Sequence, residues 1–175
     1  MESTSANTVE ELLELLDLDA IADPFDKIEE CQYFLDIASK EADVRYFRWL
    51  ISAFLSAAYS FFDICVLSAF HAFADPKNGD PVEDAEALEI LKRYVTITQK
   101  GKKVTTGGCH ELTKQLYELR KRNTHHYPLS IMVTGQELPE NFQFGKISSQ
   151  GVPTLSFCRK TMALMRHVHQ ELQHE

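Results

Sequence analysis

A chain of 175 residues, 44% hydrophobic and 25% charged, has the length and composition of one globular domain, not of a fibre or a disordered tract. Its formal charge of -8 excludes a protein that coats nucleic acid by bulk charge alone. Seven glycines and six prolines are few, so long loops are not expected.

The charge is unevenly spread. Residues 1–43 hold thirteen Asp or Glu against two Lys, whereas residues 98–126 hold seven Lys or Arg against Glu111 and Glu118. That basic stretch comprises Lys100, Lys102, Lys103, Lys114, Arg120, Lys121 and Arg122, and it also carries His110, His125 and His126. Either it presents a focused anion site or it pairs with the acidic N-terminal part of the fold.

Cys31, Cys65, Cys109 and Cys158 form no CxxC pair, and three of them fall in helical sequence, where free cysteine acts as a small hydrophobe. With a polar, acidic N-terminus and no signal-peptide pattern, a reducing cytoplasm is the expected setting. Cys109-His110 and His167-x-His169 lack the spacing of a ligand set, so neither a metal nor a cofactor is expected.

In chain order, residues 1–7 are expected to be disordered. Thr8 and Glu11 form a capping-box pattern that opens a short leucine-rich helix ending near Asp19. Asp23-Pro24 breaks the chain, and residues 25–42 show a helical period through Ile28, Cys31, Phe34, Leu35 and Ile37. Residues 44–74 form a long element with fourteen uncharged residues between Arg48 and Asp63. Asp63 and His71 interrupt the run, which favours the central helix of a bundle over a membrane span.

The turn formers of residues 75–81 predict a loop, and residues 82–98 a helix with Ala85, Leu88, Ile90, Leu91 and Val95 inward. Residues 100–108 read as a polar loop, whose Thr-Thr-Gly-Gly lacks the lysine and preceding strand of a phosphate loop. A helix from about 109 carries Leu112, Leu116 and Leu119 and must end by Tyr127, before Pro128. Residues 129–133 and 142–144 suggest a β-hairpin, and residues 153–172 a last helix. The expected fold is mainly α: five to six helices in a single domain over 1–175, with a small hairpin before the last helix.

The densest polar segment is Leu119-Arg-Lys-Arg-Asn-Thr-His-His-Tyr-Pro128. A guanidinium can hold a phosphate and stabilise the charge of its transition state. An imidazole can take a proton from a 2′-hydroxyl, or give one to the leaving oxygen, near neutral pH. Together they are what metal-free RNA cleavage needs. The plainer alternative is that Arg and His near a helix C-terminus cap its last carbonyls.

The helix from Tyr46 to Asp63 and the segment from Leu119 to Tyr127 resemble the HEPN superfamily (higher eukaryotes and prokaryotes nucleotide-binding domains), over residues 25–127. In that superfamily a long apolar helix packs against one that ends in an arginine-then-histidine motif. The resemblance implies a homodimer with both motifs facing one cleft, acting as a metal-independent endoribonuclease in toxin, defence or stress roles. Other members are non-catalytic modules that bind nucleotides, RNA or protein partners; a membrane partner is not expected.

Arg122-Asn123 matches the family's residue types, with three residues between Arg122 and His126. Arg120 has the family's spacing, four residues before His125 or five before His126, but is followed by Lys121. The reading places catalysis on Arg122, Asn123 and His126, with Arg120 and His125 as substitutes, and phosphate binding on Lys121 and Lys114.

Overall fold

The computed structural model describes residues 23–100, 103–125, 129–145 and 151–173. Five α-helices lie among them: α1 (Pro24–Ala38), α2 (Val44–Phe70), α3 (Ala85–Leu91), α4 (Glu111–His125) and α5 (Thr154–Gln173). The fold is mainly α, as the periodicities predict. The segment 1–7 and the short helix expected to follow it lie outside the described residues.

Helix starts follow the caps written in the sequence. The Asp23 carboxylate accepts from the Phe25 N–H at 2.8 Å, with Pro24 in the first turn, where its missing N–H costs nothing. Asp43 caps α2 by accepting from Arg45 and Tyr46, and Asp84 caps α3 by accepting from Ala87 at 2.9 Å. α1 ends at Ala38 and α2 at Phe70, each about a turn earlier than the apolar pattern suggested.

α2 is the central element. Twelve of its 27 residues are buried, including Phe47, Phe54, Phe61 and Phe62. It is long and apolar enough to cross a membrane, yet here it contributes to a core shared with α1, α3, α4 and α5, the position of a helix apolar all round. Burial pushes the thiols of Cys31, Cys65 and Cys158 above their ordinary range, which leaves them un-ionised hydrophobes.

The loop over 75–81 is closed by a minimal ladder of β1 (Phe73–Ala74) with β2 (Pro81–Val82). Residues 82–108 then differ from the sequence reading. The helix expected over 82–98 is only α3, seven residues long, and the expected polar loop is a strand. β3 (Val95–Lys100) pairs antiparallel with β4 (Lys103–Gly108), Val95 opposite Gly108 and Lys100 opposite Lys103. The cause is local: Val95-Thr96-Ile97-Thr98 and Val104-Thr105-Thr106 are β-branched runs, which pack better on a pleated surface than along a helix. The helix stops where the Arg93 and Tyr94 N–H groups turn back to Ile90 and Leu91.

The hairpin expected near the C-terminus forms between β5 (Ile131–Val133) and β6 (Phe142–Phe144), and β7 (Val152–Pro153) adds a third strand.

Candidate functional site

The base of the β3–β4 hairpin is bonded to the start of α4. One carbonyl, that of Tyr94, accepts from the Cys109 and His110 N–H groups and from the buried Thr113 hydroxyl, the last at 2.6 Å. His110 caps the helix itself, its Nδ1 accepting from the Leu112 N–H at 3.3 Å. Gly108 permits the close approach: a Cβ there would stand 2.4 Å from the Lys114 nitrogen and 2.5 Å from the Thr113 carbonyl carbon. Both are backbone atoms that cannot step aside, so any side chain would push β4 off α4.

This junction opens a cleft of about 580 Å³, lined by Tyr59 of α2, the Thr106–Gly108 end of β4, and Lys114, Tyr117, Glu118, Arg120 and Lys121 of α4. Lys114, Tyr117 and Lys121 fall at i, i+3 and i+7, one face of the helix. The Tyr59 and Tyr117 rings meet at 4.6 Å between centroids. The Arg120 guanidinium lies 4.1 Å from the centroid of Tyr59, a cation–π contact that holds the charge in place.

Beneath the rings, one turn after Tyr59, sits Asp63, the lone carboxylate of α2. It accepts from the Thr106 hydroxyl, which ties α2 to β4. Burial raises its pKa above the ordinary 3.8, and the hydroxyls of Thr106 and Tyr59 and the charge of Arg120 oppose the rise. Burial likewise lifts the phenols of Tyr59 and Tyr117, so both stay protonated at neutral pH.

The Asp63 shift has a consequence for stability. Because the folded state binds the proton more tightly than the unfolded chain, Asp63 contributes most below 3.8, and that contribution is lost as pH rises through the elevated value. An asparagine at this position would mimic the protonated acid. Asp63→Asn is therefore expected to gain on the wild type between about pH 3.5, below the ordinary value, and about pH 7, measured by urea unfolding at both. An equal stability difference at the two pH values would refute a raised Asp63 pKa.

Of the residues singled out in the sequence, the fold brings Lys114, Lys121 and Arg120 to the cleft. Arg122 is exposed and stands outside the lining, because two helical residues turn about 200° around the axis from Arg120. His126 and the side chains of Asn123 and His125 lie outside the described residues. Tyr59, Asp63, Thr106 and Tyr117 were not anticipated as a site; the one signal was a lone carboxylate inside an apolar helix, which must find a partner when buried.

The two histidines of α5 are occupied separately. His169 packs on Phe25 with centroids 5.5 Å apart, and His167 Nε2 lies 3.9 Å from Glu171, so the pair diverges as helical geometry requires. Among the described residues no group of three or more His, Cys, Asp or Glu is placed to hold a metal ion.

Taken together, the chain is a mainly α bundle with a cationic cleft floored by tyrosines. Comparison with family models, curated proteins and solved structures returns no match.

Proposed function

We propose that this chain is a HEPN-like RNA-binding protein whose α2–β4–α4 cleft seats a backbone phosphate. The observation that carries this reading is the convergence of Lys114, Arg120 and Lys121 over Tyr59 and Tyr117, in a chain whose net charge is -8. Cations concentrated in one groove of an acidic surface attract an anion locally while repelling it elsewhere. Arg120 offers a planar fork to phosphate oxygens, and the tyrosines offer hydroxyls and ring edges to a sugar or base.

In its catalytic form the reading adds an imidazole from His125 or His126, which follow Arg120 in the sequence, and a second copy of the chain that faces it. The arginine would stabilise the charge developing on phosphorus while the imidazole moves the proton. The test is incubation of the pure protein with labelled RNA in EDTA. Cleavage abolished by both Arg120→Ala and His126→Ala, by a protein that sediments as a dimer, is the expected result. Cleavage retained in both variants would reject the assignment.

One feature favours a non-catalytic module instead: Arg120 is followed by Lys121, where the catalytic pattern of the superfamily it resembles has a polar neutral residue. That reading predicts salt-dependent RNA binding with intact RNA recovered. Absence of binding to any RNA at low salt would remove both forms of the proposal.

A further inference from the structure

We infer that the β3–β4 hairpin is an RNA-gripping arm that extends the cleft, an inference that rests on the RNA-binding reading above. β4 runs directly from the arm's far end to the cleft wall: Lys103 opens the strand, and Thr106, Gly107 and Gly108 line the groove. At about 3.4 Å per residue, the three steps from Thr106 to Lys103 place that end roughly 10 Å beyond the near edge of the wall, and the five from Gly108 roughly 17 Å from its far edge.

The hairpin's two faces differ in chemistry. Val95, Ile97 and Val104 pack inward on the core. The opposite face carries Thr96, Thr98, Lys100, Lys103 and Thr105, all exposed. Lys100 and Lys103 are direct cross-strand partners, and among the described residues neither forms an ion pair. Like charges opposite one another destabilise a ladder, so an anion between them relieves a standing repulsion.

The chemistry of this face selects a nucleic-acid backbone over an acidic protein. Threonine hydroxyls and lysines are the side chains that contact phosphate and sugar without reading sequence. A protein interface would require an apolar centre, and this face has none. Lysines at a hairpin end also deter edge-to-edge strand pairing, but that role would leave RNA affinity untouched. A strand seated in the cleft reaches the lysines only if it is on the order of five stacked nucleotides long. The arm therefore acts on long RNA and is invisible to short RNA.

The experiment compares fluorescence anisotropy of a labelled 12-nucleotide RNA and a labelled trinucleotide, using the full chain. Lys100→Ala/Lys103→Ala is expected to weaken 12-mer binding about tenfold and to lower the salt slope by about 1.4, two phosphate contacts at roughly 0.7 each. Trinucleotide affinity should stay within about twofold, and the Arg pair at the same positions should restore the 12-mer. Lys114→Ala/Lys121→Ala should weaken both ligands. An unchanged 12-mer affinity in the arm variant would overturn the arm while leaving the cleft intact. So would an equal loss on the trinucleotide, or competition by polyglutamate as strong as by RNA of matched charge. No binding of either RNA by the wild type would instead remove the RNA-binding reading itself.

Discussion

Phe142→Ala is expected to cost about 3–5 kcal/mol, a large share of the roughly 5–15 kcal/mol that holds a domain of this kind folded. Phe142 is fully buried in β6, and its ring meets Phe47 of α2 edge-on, with centroids 4.6 Å apart. Its neighbour Phe144 meets Phe157 of α5 in the same way at 5.6 Å. Strands of two and three residues cannot stand as a sheet without such anchors. Truncating the ring removes its buried area and leaves a cavity between the sheet and the first turns of α2. Urea unfolding should show a lower midpoint in one transition, while Phe73→Ala, at a ring 65% exposed, should fall within about 0.5 kcal/mol of wild type. A loss below about 1 kcal/mol, or a separate early transition, would mean that the small sheet is not part of the common core.

The same contacts show which features are legible in sequence. α1, α2 and α5 carry both a cap or break and an apolar period, and each signal points to the same element. The β5–β6 pair was legible because the period shortens abruptly after Pro128. The β3–β4 hairpin was not, because Leu88, Ile90, Leu91 and Val95 continue a helical spacing across the point where the helix stops. The alternation of Val95, Ile97 and Val104 with threonines was present but was overruled by that longer pattern. The cleft was less legible still. Tyr59, Thr106 and Tyr117 are separated by 47 and 11 positions and meet only because α2, β4 and α4 pack together. Local reading found the cations of α4, since they cluster along the chain, but not the rings and carboxylate that set their direction.

The choice between two arginines therefore depends on packing, and it yields the largest functional effect. Arg120→Ala is expected to abolish most phosphate binding in the cleft and, if the protein cleaves RNA, to lower the rate by about 10²–10³, as removal of a transition-state donor does elsewhere. Arg122→Ala should change either quantity by no more than a few-fold, the contribution of an exposed charge near the groove. Arg120→Lys separates charge from shape. Lysine keeps the cation but loses the flat surface that lies on Tyr59 and the fork that meets two oxygens, so it should recover the salt dependence of binding but not the affinity. Tyr59→Leu should resemble Arg120→Lys, because it leaves the guanidinium charged and removes the ring that holds it. Full activity in Arg120→Ala, with loss in Arg122→Ala, would move the working site to the other side of α4 and detach it from the tyrosine-floored cleft.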